Sequence, residues 1–239
     1  MSPGCNATPL DLREFPQCLG VADVVYNPLR TRLCQQAAAL GIPACGGLLM
    51  LAAQAAAAEY AFGAAVPKPE TVLRICGELR REQENLVLIG MPGSGKTTVG
   101  QRAARLMDLE VIDCDERYLA EYGILPEEEL RQNGEPYFRQ RETALLQKLS
   151  LQNGCVIAAG GGAVLRAENV SLLRQNGRLC LLQRPTALLA REGRPLSRDL
   201  PELYRQRLPL YLAAADFTVM NDGLPQNTAA RLVREFALI

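Results

Sequence analysis

An eight-residue run, Gly90-Met91-Pro92-Gly93-Ser94-Gly95-Lys96-Thr97, constrains this chain more than any other feature of it. It fits G-x-x-x-x-G-K-[ST] without a mismatch and follows directly on the apolar run Leu86-Val87-Leu88-Ile89. Glycines let successive backbone N–H groups turn inward around phosphate oxygens, and the helix expected from Thr97 to Leu106 adds the positive end of its dipole. On this pattern Gly93, Ser94, Gly95, Lys96, Thr97 and Thr98 cradle a nucleotide. Lys96 reaches the β- and γ-phosphates, and Thr97 offers a hydroxyl to Mg²⁺, so ATP and Mg²⁺ are the implied pair. The bland alternative is a chance Gly-rich loop, and the strand before it and the helix after it weigh against that.

Downstream the chain alternates buried strands with helical stretches. After Leu86–Ile89 come Glu110-Val111-Ile112, Cys155-Val156-Ile157-Ala158, Leu179-Cys180-Leu181-Leu182 and Asp216 to Met220. Strands apolar on both faces and joined by helical crossovers imply a parallel sheet covered on each side. The expectation is an α/β protein: a three-layer P-loop kinase fold with a five-stranded parallel sheet, plus a small, mostly helical N-terminal fragment. The character changes near residue 65, where Ala-rich sequence gives way to Val66-Pro67-Lys68-Pro69 and a charged stretch. Upstream of this boundary Val21 to Tyr26 reads as a short strand, Thr31 to Leu40 and Gly47 to Phe62 as helices; Thr71 to Glu84 reads as a third, amphipathic helix. Two domains are therefore expected, residues 1–80 and residues 85–239.

Composition narrows the function classes. Lys plus Arg number 26 and Asp plus Glu 26, so no global positive field argues for nucleic acid or an anionic membrane surface. The best candidate for a membrane span, Leu48 to Ala58, falls well short of the roughly 20 apolar residues required, and no signal-peptide n-region precedes it. Eight cysteines are scattered without a CxxC pair, which reads as reduced thiols in a cytosolic protein. The chain has no His, so imidazole catalysis is excluded and proton transfer falls to a carboxylate.

Glu110-Val111-Ile112-Asp113-Cys114-Asp115 supplies carboxylates at the C-terminal end of a strand, where ligands of open α/β sheets bind. Spaced two apart in an extended segment, Asp113 and Asp115 point the same way. Asp113 could hold the metal through its water shell and Asp115 could accept the proton of an acceptor hydroxyl. The plainer alternative is that they cap the next helix.

From Leu86 onward, roughly two thirds of the chain, the sequence resembles the shikimate kinases. The phosphate loop and Asp113-Cys114-Asp115 are followed by Gly134-Glu135-Pro136-Tyr137-Phe138-Arg139-Gln140-Arg141-Glu142, similar to the family's G-E-x-x-F-R-x-x-E. Gly160-Gly161-Gly162-Ala163, Gly193-Arg194-Pro195-Leu196 and Arg207-Leu208-Pro209-Leu210-Tyr211 follow in family order. The resemblance implies phosphorylation of the 3-hydroxyl of shikimate by ATP, in chorismate and aromatic amino acid biosynthesis. It assigns Arg139 and Arg207 to the substrate carboxylate, a role that planar guanidinium forks suit. Asp115 and Gly161 would serve the hydroxyls, and Glu142 would hold Arg139 by an i, i+3 pair. Arg194 resembles the lid arginine that folds over the nucleotide phosphates, stabilising the transition state and excluding water. The stretch before it is short compared with many family members, which leaves Arg191 a weakly supported contact on the adenine side.

The first eighty residues resemble the C-terminal segment of a shikimate dehydrogenase. Asp23-Val24-Val25-Tyr26-Asn27-Pro28-Leu29 looks like that family's D-x-x-Y-N-P, and Gly46-Gly47-Leu48-Leu49-Met50-Leu51-Ala52-Ala53-Gln54-Ala55 like its G-G-x-x-M-L-x-x-Q-A. The second motif implies a substrate contact for Gln54. No G-x-G-x-x-G precedes Asn85, so a dehydrogenase as the chain stands is not expected. The reading is the tail of a dehydrogenase–kinase fusion, or a gene start placed inside one, with an incomplete core that is loosely ordered or docked on the kinase.

Two alternatives stand beside the kinase reading: another small-molecule P-loop kinase, such as a gluconate or nucleoside-monophosphate kinase, and a non-catalytic remnant of such a fusion. The expected partner is the small molecule shikimate, with no nucleic acid and no membrane. The sequence fixes no oligomeric state, and a monomeric kinase domain is the working expectation.

Overall fold

The computed structural model describes residues 7–63, 65–66, 68–189 and 200–238. It divides into two compact units, Met1–Glu84 with Arg174–Asn176, and Asn85–Leu173 with Gly177–Ile239.

In the first unit a 3-10 turn at Leu12–Glu14 precedes β1 (Val21–Ala22), α1 (Arg32–Ala39), β2 (Ala44–Cys45), α2 (Gly47–Ala61) and α3 (Pro69–Gln83). The strand expected from Val21 to Tyr26 shrinks to the two residues of β1, paired in parallel with β2. The reason is Asp23, whose carboxylate accepts the Val25 N–H at 3.0 Å and the Thr31 hydroxyl at 2.6 Å, turning the chain out of the strand. Thr31 in turn caps α1 by accepting the Cys34 N–H. Gly47 donates its N–H to the Val25 carbonyl, and a Cβ there would lie 2.2 Å from the Val24 carbonyl oxygen, so the Asp23–Leu29 and Gly46–Ala55 motifs abut backbone to backbone. The unit's core is thin. Its buried apolar side chains among the described residues are Leu12, Ala37, Leu48 and Ala52, while Phe15, Leu19, Tyr60 and Phe62 are exposed. An open groove of about 660 Å³ lies between the Leu10–Cys18 segment and Leu33.

In the second unit β3 (Asn85–Ile89), β4 (Glu110–Asp113), β5 (Cys155–Ala158), β6 (Gly177–Gln183) and β7 (Phe217–Met220) form a parallel five-stranded sheet in the order β4-β5-β3-β6-β7. All five strands expected from the sequence are present, β6 longer by its first two residues and its last. The helices that follow β3 along the chain are α4 (Lys96–Met107), α5 (Cys114–Tyr122), α6 (Pro126–Leu149), α7 (Ala167–Asn176), α8 (Leu200–Ala214) and α9 (Pro225–Leu238). Every residue of β3 is buried, as a central strand covered on both faces requires. One layer of the core joins Leu86, Leu88, Val156, Cys180, Leu182 and Val219 of the sheet to Val99, Ala103 and Ala104 of α4 and Leu232 and Phe236 of α9. Burying these side chains, at about 25 cal/mol per Å² of apolar surface, is what holds the strand ends in register.

Candidate functional site

The five strands are parallel, so their C-terminal ends lie on one edge of the sheet, and each runs into a residue that matters to the site. β3 leads into the phosphate loop, β4 ends in Asp113, β5 leads to Gly160-Gly161-Gly162, β6 to Arg184 and β7 to Asn221.

The phosphate loop has the backbone its glycines predict. Gly90, Gly93 and Gly95 have φ of 147, 79 and 93°, where L-side chains are strained. Gly95 caps α4, whose first residue is Lys96. Lys96 Nζ donates to the Gly90 and Met91 carbonyls at 3.0 Å each, which folds the ammonium back over the loop. Thr97 and Thr98 occupy the first turn of α4, and Thr98 is exposed. Ser94 is buried, and its hydroxyl has no hydrogen-bond partner.

Asp113 and Asp115 depart from the sequence expectation. They do not share an extended segment: Asp113 closes β4 and is the N-cap of α5, accepting the N–H groups of Asp115 and Glu116 at 2.9 and 3.4 Å. This competes with strand geometry and starts the helix at Cys114, so Asp115 sits in a helical first turn. Capping and metal-side placement are not exclusive, since the other Asp113 oxygen accepts the Thr97 hydroxyl at 2.5 Å. Asp113 and Thr97 thus face each other across the phosphate loop. Among the described residues no group of three or more His, Cys, Asp or Glu side chains could enclose a metal. One carboxylate and one hydroxyl beside a phosphate cradle suit Mg²⁺, which keeps much of its water and shares the phosphates.

The triple glycine after β5 is where the remaining predicted residues converge. A Cβ at Gly160 would lie 3.1 Å from Glu142 Oε1 and 3.6 Å from Asp115 Oδ1. At Gly161 it would meet Pro92 of the phosphate loop at 2.9 Å, and at Gly162 the Arg139 guanidinium at 2.3 Å. The three positions therefore let one turn touch the acid pair, the loop and the arginine at once. Arg139 is buried and pairs with Glu142 at 2.7 Å, as the i, i+3 spacing predicts, and with Glu135 at 3.2 Å. The Gly134 break in α6, with φ 80° and ψ 167°, separates the helical turn carrying Arg139 from the Pro126–Asn133 stretch. From α8, Arg207 donates to the Gly161 carbonyl at 3.2 Å and Tyr211 to the same oxygen at 2.5 Å. Burial pushes the Tyr211 hydroxyl up to about 12, so it remains a donor at neutral pH. The Gly161 carbonyl is thus already engaged. Burial likewise raises the Glu142 carboxyl, Arg139 pulling it back and Asp115 adding to the rise. Arg191 and Arg194 lie outside the described residues.

Two residues escaped the sequence reading. Asn221 is buried, donates to the Ser94 carbonyl at 2.8 Å and accepts from Thr228 at 3.0 Å, bracing the phosphate loop from β7. Arg184 approaches the loop from β6. No motif marks either one, because each acts through a strand distant in sequence.

The sheet order, the phosphate loop after the central strand and the acid beyond its neighbour define a nucleotide-binding α/β fold of the P-loop class. Residues 92–237 match the family model of shikimate kinase, and the chain belongs to that family. The shikimate kinase of Caldicellulosiruptor bescii is 36% identical over 161 residues, covering 63% of this chain and 93% of that protein. That of Neisseria meningitidis serogroup C is 39% identical over 161 residues, covering 62% and 94%. Among solved structures, shikimate kinase from Acinetobacter baumannii in complex with shikimate matches with a TM-score of 0.62 at 31% identity, over 67% of this chain and 97% of that one. The Aquifex aeolicus shikimate kinase matches with a TM-score of 0.57 at 27% identity, over 64% and 96%.

Proposed function

We propose that residues 85–239 transfer the γ-phosphoryl group of ATP to the 3-hydroxyl of shikimate, giving shikimate 3-phosphate and ADP for chorismate and aromatic amino acid biosynthesis. The observation that carries this reading is the convergence of Arg139, Arg207, Glu142 and Asp115 on one glycine turn that itself abuts Pro92 of the phosphate loop. Two arginines beside an acid, next to a phosphate cradle, suit an acceptor that carries both a carboxylate and hydroxyls.

Gly93 to Thr98 bind the nucleotide, with Lys96 leaving its loop carbonyls for the β- and γ-phosphates. Thr97 and Asp113 hold Mg²⁺, which supplies charge neutralisation on the phosphates. Arg139 and Arg207 bind the shikimate carboxylate and fix the ring. Asp115 takes the proton of the 3-hydroxyl as its oxygen bonds to the γ-phosphorus, and the bond from that phosphorus to the ADP oxygen breaks. Arg194 screens the phosphates from water. The kinase domain works as a monomer in the cytosol. The described residues include no helix long and apolar enough to cross a membrane. Residues 1–80 are, on the same reading, a shikimate dehydrogenase-like C-terminal fragment with no part in the transfer; Gln54 there is exposed.

A coupled ADP-release assay with MgATP and shikimate, run beside gluconate and AMP, tests the reading. Shikimate-dependent release is the expected result. Turnover with gluconate or AMP alone would discard the substrate, and silence with all three would favour a non-catalytic protein.

A further inference from the structure

We propose that Arg184 is a further nucleotide-binding residue, which clasps the part of the phosphate chain that ADP retains. The inference rests on the kinase reading above. Arg184 is the first residue past β6, the strand beside β3, and its main chain is tightly set. Gln183 before it pairs with Met220 and accepts the Asn221 N–H at 2.7 Å, and Pro185 follows it. From this anchored position the side chain reaches the phosphate loop: its Nη1 lies 3.6 Å from where a Cβ would stand on Gly95, the residue before Lys96.

Among the described residues the guanidinium has no counter-ion there. Arg184 Nε is buried and has no hydrogen-bond partner, and no carboxylate among the described residues pairs with the group. Asn221, its neighbour at Gly95, is neutral and already committed to Ser94 and Thr228. A buried N–H without a partner is costly, and a forked cation beside a phosphate cradle answers that cost by donating to phosphate oxygens. The side of approach narrows the choice of oxygens. Asp113, Asp115 and the triple glycine stand at the ends of β4 and β5, on one flank of β3, whereas Arg184 stands on the β6–β7 flank. The acceptor meets the γ-phosphate from the β4–β5 flank. An arginine on the opposite flank therefore meets the α- and β-phosphates, which stay with the leaving nucleotide.

The test compares binding of MgADP and of adenosine to the full chain by calorimetry, for the wild type, Arg184→Gln and Arg184→Lys, with shikimate-dependent turnover measured alongside. Expected for Arg184→Gln is a loss of MgADP affinity of roughly ten- to a hundredfold, the scale of a charge-assisted hydrogen bond. Adenosine affinity and the KM for shikimate should stay within about twofold of wild type, and Arg184→Lys should recover part of the loss. Unchanged MgADP affinity in Arg184→Gln would overturn the proposal, as would an equal loss for adenosine, which would put the guanidinium on the base. Either result with an active wild type leaves the kinase reading standing. A wild type that releases no ADP with shikimate, yet binds MgADP with the expected dependence on Arg184, would sink the acceptor assignment and leave this one in place. A wild type that does not bind MgADP overturns both.

Discussion

Glu142 illustrates how burial and a partner act on one residue in opposite directions. Burial raises its carboxyl above the ordinary 4.5 while the Arg139 guanidinium lowers it, and the balance is upward. On acidification Glu142 therefore takes up its proton at a higher pH than an ordinary carboxylate and loses its charge hold on Arg139. The sign for stability is the reverse. Because the folded-state value is raised, the ionised carboxylate costs the fold stability as pH rises through 4.5, and that cost disappears on acidification. An acid rise in the KM for shikimate is thus expected without unfolding; Glu142→Gln should remove that limb, measured as KM against pH with circular dichroism at each point. Lys96→Ala and Arg139→Ala should each abolish measurable turnover, the first through phosphate charge and the second through substrate positioning; retained activity in either would break the assignment of roles. Lys96, Thr97 and Arg139 were legible in the sequence because a motif fixes each relative to its own local turn. Arg184 and Asn221 were not, since nothing near them in sequence points to Gly95.

At the level of elements, glycines separate into those a site needs and those it does not. Gly162→Ala would place a Cβ 2.3 Å from Arg139 Nη2, whose guanidinium is tied to Glu142 and Glu135. The displaced arginine should raise the KM for shikimate roughly tenfold or more. Gly77 of α3 has open space at its Cβ position, so Gly77→Ala should leave turnover unchanged and stabilise the helix by up to about 1 kcal/mol. Kinetics and urea unfolding of the two variants separate these cases. Three strands of the second unit, β3, β5 and β6, were readable from apolar runs of four residues, and β4 and β7 from shorter apolar stretches in the same strand–helix alternation. The end of β1 was not, because the Asp23 side chain competes for backbone and hydroxyl donors that only the folded turn brings near. The same competition moved Asp115 from a strand into the first turn of α5.

Across the whole molecule the two units differ in how their cysteines are placed. Cys114, Cys155 and Cys180 of the second unit are buried, and burial raises all three thiols, Cys155 up to about 12. Cys45 is exposed, and Cys18, Cys34 and Cys76 are partly so. Brief alkylation of the native chain at neutral pH, read by peptide mass mapping, should modify Cys45 before Cys18, Cys34 and Cys76 and spare the three buried thiols. The second unit also carries its own core and every described residue of the site. The relatives from Caldicellulosiruptor bescii and Neisseria meningitidis are matched over 93% and 94% of their length by 161 residues of this chain. A chain beginning at Asn85 should therefore keep shikimate-dependent ADP release within a few-fold; its loss would give residues 1–80 a part in the active protein that the domain reading denies them.

The sequence by itself determined the class of the second unit, since strand, glycine loop, lysine and helix are contiguous and their chemistry is local. It also determined the order of the strands along the chain, and the placing of Arg139 and Glu142 on one helix face, which their i, i+3 spacing gives. The tertiary structure decided which strand stands beside which, and hence that Arg207, Asp115 and Gly160-Gly161-Gly162 share one turn while Arg184 and Asn221 stand on the opposite flank. Those contacts join residues tens of positions apart, and they exist only because burial of both faces of the sheet fixes all five strand ends on one edge.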